Sequence, residues 1–192
     1  MKPLRYVLLA LSLTLAACST FSVSNQWKDP NWPGPPASNV LVLGITKSDT
    51  YRRVFEDTFA QQLQAAGVHA EQSYNQIPAG ESSEKVGTVV KATGADVILS
   101  TRVQRVEQKL NVTPSGPVGP GFYGWWGGAW ASTPDVTQYN EVTLETTVWD
   151  ARSQKVIWSV TTQSVGTNNL PKAVQDLAQT IIPKLKTDGI IR

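Results

Sequence analysis

Apolar and polar positions change period several times along the chain, and each change marks an element. From Val40 to Ile45 the run is almost unbroken: Val40, Leu41, Val42, Leu43, then Ile45 after Gly44. A strand covered on both faces reads this way, which predicts a central parallel strand. Thr46 to Thr50 supplies turn and cap residues. Within 54–66, Phe55, Phe59 and Leu63 fall at successive fourth positions and predict an amphipathic helix, stopped by Gly67. Val68 to Ser73 reads as a short, more polar strand. Glu84 to Thr93 returns to the helical period through Val86, Val89 and Val90 and ends at Gly94. Asp96 to Val103, with Val97, Ile98 and Leu99 apolar on both faces, is again a buried strand.

Beyond Val103 the pattern changes. Arg105, Glu107 and Lys109 alternate with Val106, Leu110 and Val112, as in a strand that runs past the core with one wet face. Gln104 and Gln108 add to the polar positions, so no continuous apolar face is expected here. Tyr139 to Trp149 returns as a strand with Val142, Leu144 and Val148 on one side. After the turn residues 150–154, Lys155 to Val165 carries Val156, Trp158 and Val160 on one side, and the two strands predict a hairpin. Asn169 caps a helix from Leu170 to about Lys186 with Val174, Leu177, Ile181 and Leu185 as its stripe. Pro171 suits the first turn, whereas Pro183 is expected to kink the helix or end it early. The order βαβαβββα predicts an α/β fold with a mixed sheet and helices packed on it.

The N-terminus follows a different logic. Lys2 and Arg5 precede an apolar run from Tyr6 to Leu15, then small residues and Cys18, the layout of a secretory signal. The run is well short of the ~20 residues that span a bilayer. Leu15-Ala16-Ala17-Cys18 resembles the lipobox of bacterial lipoproteins, which implies cleavage before Cys18 and lipidation of that residue. Ser19 after the cysteine implies, by the same resemblance, the periplasmic side of the outer membrane. Residues 19–39 are polar and then proline-rich, with Pro30, Pro33, Pro35 and Pro36. They read as a linker with a reach of up to ~65 Å at ~3.1 Å per residue, shortened if Trp27 and Trp32 pack on the domain or sit among headgroups. The expected organisation is a signal peptide over 1–17, a lipidated cysteine and linker over 18–39, and a single α/β domain over 40–192.

Charge and composition exclude several classes of function. The formal net charge of +2 comes wholly from Lys2 and Arg5, so the mature chain is neutral and has no electrostatic case for binding nucleic acid. Cys18 is the only cysteine and His69 the only histidine. Lipidation takes the one thiol out of nucleophilic chemistry, no metal-ligand spacing exists, and His69 reads as an ordinary edge or surface residue. Glu141 and Glu145 share one strand face ~13 Å apart, beyond the ~5 to 9.5 Å of paired catalytic carboxylates in glycosidases. Gly119 to Gly124 fits Gly-x-Gly-x-x-Gly, but no helix is expected to follow it, and a dinucleotide site needs one. No catalytic, metal or cofactor-binding residues are assigned.

One compositional anomaly lies in the Gly- and Pro-rich stretch 114–135. Phe122, Tyr123, Trp125, Trp126 and Trp130 place five aromatics within nine residues, among Gly124, Gly127 and Gly128. At ~150 Å² or more each they represent roughly 750 Å² of surface, above the few hundred Å² that a monomer exposes as one patch. Three covers are open: the domain itself, a partner protein anchored by Trp and Tyr, or the membrane interface. If Asp96–Val112 pairs with Val136–Trp149, the stretch is the tip of a protruding hairpin.

The lipobox, the proline-rich arm, the opening Val40-Leu41-Val42-Leu43, Gly94-Ala95-Asp96 entering a strand, and the hairpin with Trp158 together resemble small bacterial outer-membrane lipoproteins. The element order is similar to that of the curli-export lipoprotein, the penicillin-binding-protein activator lipoproteins and the N-terminal domain of the Tol-system β-propeller protein. The resemblance implies a non-catalytic envelope module that binds an envelope protein or assembles with itself, held on the membrane by Cys18. A structural lipoprotein with a self-packed loop and a carrier of a small sugar or lipid are the alternatives.

Overall fold

The computed structural model describes residues 21–78, 80–113, 135–165 and 169–192. Strands β1 (Phe21–Lys28), β2 (Asn39–Ile45), β3 (His69–Gln72), β4 (Val97–Thr113), β5 (Asp135–Asp150) and β6 (Val156–Val165) alternate with helices α1 (Asp49–Ala65), α2 (Ser83–Thr93) and α3 (Leu170–Thr187). The strands form one sheet in the order β1-β6-β5-β4-β2-β3. β2 runs parallel to β3 and β4, and the remaining pairs are antiparallel. This is the mixed α/β sheet that the periodicity predicts.

The chain leaves β2 for β3 through α1 and returns past β2 to β4 through α2. Right-handed crossovers in opposite directions put their helices on opposite faces. On one face, Phe55, Phe59 and Leu63 of α1 and Val174, Leu177, Ile181 and Leu185 of α3 bury Val40, Val42, Val97, Leu99, Val148 and Trp158. On the other, Val90 of α2 covers Leu41 with Ile77. Helix α3 runs through Pro183 to Thr187, so the proline does not end it early. Buried Ile182 and Leu185 hold the last turns to the core, and the Asp188 amide donates to Lys184 O and the Gly189 amide to Lys186 O to close them.

The segment expected to be a linker contains an edge strand. Phe21 is buried and Val23 packs on the core, while β1 pairs with β6 along its length. Its far end is fastened to the end of α3: Gln26 Nε2 and Trp158 Nε1 donate to Asp188 Oδ2 at 2.6 and 2.7 Å, and Lys28 Nζ donates to Asp188 O at 2.6 Å. Trp32 packs against the core, and Ala37 exchanges backbone hydrogen bonds with Ile190 and Arg192. Trp27 stays half exposed. Alternating Ser22, Ser24 and Gln26 are therefore polar positions of an edge strand, and this stretch joins the body instead of holding it away.

A buried ion pair ties β2, α1 and the turn after β3 together. Arg52 Nε donates to Glu56 Oε1 at 2.8 Å, and Ser73 Oγ and the Gly44 amide donate to the same oxygen. The Tyr74 amide donates to Oε2 at 2.8 Å, and Glu56 is 0% exposed. At the start of β2, Asp96 accepts from the Ser38 and Asn39 amides and the Ser38 hydroxyl. Burial acts to raise its pKa, but these donors and the nearby charge of Arg192 hold it below the ordinary carboxylate range.

Candidate interaction surface

Strands β4 and β5 outlast their neighbours. β2 ends at Ile45 opposite Arg102, and β6 ends at Val165 opposite Glu141. The β4–β5 ladder continues to Thr113 opposite Asp135, ~20 Å further at ~3.3 Å per residue. Gln104 is an extra residue between Val103 and Arg105, and β1 has a matching shift between Val23 and Asn25. Both bulges fall on the rung that joins Val103, Leu144, Thr162 and Val23. Bulges bend and twist a strand, so the sheet changes direction at the level where the two-stranded arm leaves it.

The two faces of the arm differ in kind. One carries ion pairs: Arg102 Nε with Glu145 Oε2 at 2.6 Å, Arg105 Nη1 with Glu107 Oε1 at 3.0 Å, and Lys109 Nζ with Glu141 Oε2 at 2.5 Å. The hydrogen bond to Glu141 raises the Lys109 pKa against the cost of burial. The bulge sets Val103 and Val106 on the opposite face, beside Leu144 and Val142, followed by Gln108 beside Asn140 and then Leu110. On the charged face Glu107, Lys109 and Glu141 are partly exposed, while Arg102 and Arg105 are exposed. The apolar residues of the other face are exposed as well: Val103 is 54%, Val106 60% and Leu110 61% exposed.

Below this face, against the N-termini of α1 and α3, lies an open cleft of about 480 Å³ lined by Phe21, Ile45, Tyr51, Val106, Leu144 and Leu170 among others. Ser48 and Asn169 cap the two helices here. The cleft sits at the carboxyl end of β2, beside the middle of β4 and β5. Ile45 and Tyr51 are themselves exposed. Arm and cleft form one apolar surface with hydroxyls from Thr46, Thr101 and Ser164 at its edge, suited to burying apolar groups. The ionisable residues weighed from the sequence lie elsewhere or are paired. His69 is on edge strand β3 with Nδ1 2.6 Å from Asn39 Oδ1, and Glu141 and Glu145 are held by Lys109 and Arg102.

Cys18, Phe122, Tyr123, Trp125, Trp126 and Trp130 lie outside the described residues, as does the Gly119–Gly124 pattern. The apolar surface of Ile45, Tyr51, Val103, Val106, Val142 and Leu144 was not singled out from the sequence. The signal was partial: Val106 and Leu110 stood out as one face of a strand, but only the bulge at Gln104 brings Val103 onto that face.

Residues 83–185, more than half of the chain, match the family described as a domain of unknown function, DUF4136. The chain belongs to that family. The DUF4136 match runs from the first residue of α2 through the arm and β6 into the last turn of α3. Comparison with curated proteins finds no match. Among solved structures, the DUF4136 chain is similar to the PelC dodecamer from Paraburkholderia phytofirmans, at 17% identity and a TM-score of 0.48 over 90% of this chain and 99% of that one. It is similar to lipoprotein GNA1162 from Neisseria meningitidis, at 12% identity and a TM-score of 0.41 over 78% and 99%. It is also similar to a minor lipoprotein from Acinetobacter baumannii, at 11% identity and a TM-score of 0.37 over 79% and 94%.

Proposed function

We propose that this DUF4136 protein is a lipid-anchored, non-catalytic binding or assembly module of the bacterial envelope. Cys18 holds it to the outer membrane on the periplasmic side, and the β4–β5 arm with the aromatic segment at its end is the contact element. The observation that carries this reading is the arm itself. Two strands extend past their neighbours in the sheet with exposed Val103, Val106 and Leu110 on one face, and a bare two-stranded ribbon is marginal in water without a surface to pack on. The partner is an envelope protein or a second copy of the chain, met by Phe122, Tyr123, Trp125, Trp126 and Trp130. Photo-crosslinking in cells from a reactive analogue at Trp126, with Lys155 as control, tests it. A discrete heavier band containing protein, formed from Trp126 and not from Lys155, is the expected result. Equal labelling from both positions, or no protein adduct, would remove the arm as a contact element.

A further inference from the structure

We propose that the helix-side face of the arm rests on the bilayer that holds the anchor. The proposal relies on lipidation of Cys18, as the proposed function does, and follows from where β1 begins. Phe21 is opposite Ser164, Ser164 opposite Val142, and Val142 opposite Val106. The chain therefore enters the sheet at the level where the arm leaves it, and Phe21 lines the cleft beneath the arm. Only Ser19 and Thr20 lie between Cys18 and Phe21, three residue steps with a reach of ~10 Å at ~3.3 Å per step.

This short tether restricts how the domain can stand on a membrane. An arm pointing straight away from the bilayer would place the far end of β1 nearest the lipid and Phe21 the length of that strand above it. Phe21 to Lys28, the ends of the eight-residue strand, are ~23 Å apart, which a ~10 Å tether does not span. In the opposite orientation the last rung, seven residues past Val106, reaches ~23 Å beyond the level of Phe21 and enters the bilayer ahead of the anchor. The remaining arrangement lays the arm along the membrane, and only one face suits it.

The helix-side face offers Val103, Val106, Leu110, Val142 and Leu144, with Ile45 and Tyr51 beside them. Gln108 and Asn140 interrupt the apolar residues, which suits the headgroup boundary more than the acyl interior. The opposite face has paired its charges within itself and stays in water. An amphipathic element of this kind settles ~5 to 10 Å into the boundary region. Each contact is weak alone, but the tether keeps the arm at the surface, so modest apolar area suffices.

Cys18 is the only cysteine, so the mature chain can be coupled through it to a maleimide-bearing lipid in phosphatidylethanolamine–phosphatidylglycerol vesicles, which sets the anchor by construction. A coumarin amino acid is placed at Leu110, Lys109 or Lys155 in separate preparations, and emission is compared between ordinary lipids and lipids brominated on the upper acyl carbons. The proposal expects about twofold or greater quenching at Leu110, less at Lys109 across the strand, and none at Lys155 at the other end of the sheet. Val106→Asp should reduce quenching at Leu110 while the circular dichroism of the domain is unchanged. Quenching at Leu110 no greater than at Lys155, with coupling verified by mass, would overturn the proposal. So would energy transfer between coumarin-labelled and acceptor-labelled copies in place of quenching, which would assign the face to a second copy. An unmodified Cys18 in protein isolated from cell membranes would overturn the anchor by a separate readout, and with it the proposal in the cell.

Discussion

The lower and upper halves of β4 and β5 are the same two strands in the same ladder, yet they are held by different forces. In the lower half, Leu99 faces Val148 and both are buried under α1 and α3. In the upper half, Val106 faces Val142, and Val106 is 60% exposed. Backbone pairing resumes beyond the one-residue bulge at Gln104 and runs to the end of both strands, so pairing does not distinguish the halves; cover does. Removing apolar side chains from water stabilises the lower half by roughly 25 cal/mol per Å² buried. The upper half gets little of this within the monomer. The contrast teaches where to look for function: the body explains its own apolar residues, and the arm does not.

Substitutions should separate the halves, beginning with the largest effect. Glu56→Gln leaves Arg52 without its buried partner and should destabilise the body by about 3–5 kcal/mol, read from urea unfolding. That is a large share of the ~5–15 kcal/mol that holds a domain. Leu99→Ala should cost about 2–5 kcal/mol by opening a cavity, whereas Val106→Ala further along the same strand should stay within ~0.5 kcal/mol; comparable losses would erase the distinction. Asp188→Ala removes the acceptor shared by Gln26 and Trp158 and should cost about 1–3 kcal/mol, with early hydrogen exchange in β1. The smallest effect concerns pH. The folded-state pKa of Asp96 is depressed, so its contribution is present above its unfolded value near ~3.9 and is lost as pH falls through the folded value. Asp96→Asn should flatten stability against pH across that acid window, and an unchanged acid limb would contradict the assignment.

The body was legible in the sequence because its elements follow one period each. Val40-Leu41-Val42-Leu43 must be covered on both faces, and Phe55, Phe59 and Leu63 can share a face only on a helix. β1 was obscured by composition: Ser22, Ser24, Asn25 and Gln26 sit on an edge where polar side chains cost little, and the prolines after them signal a linker equally well. Pro183 misleads for a tertiary reason, since burial of Ile182 and Leu185 outweighs a local break. Glu56 gave no warning, because its four donors come from β2, α1 and the turn after β3, which only the fold brings together. The arm's apolar face depended on one bulge. Were Gln104 paired in a regular ladder instead of bulged out of it, Val103 and Val106 would fall on opposite faces by simple alternation.

Amide hydrogen exchange along β4 and β5 tests the central contrast most directly, because both halves are read in one strand pair. In the free chain the account predicts slow exchange at 97–101 and 144–149 and exchange faster by orders of magnitude at 106–112 and 136–141. Coupling Cys18 to vesicles should then slow the upper half and leave the lower half unchanged. Uniform protection along both strands in the free chain would show that the arm needs no cover. An upper half that stays fast on the vesicle would show that the membrane does not supply it.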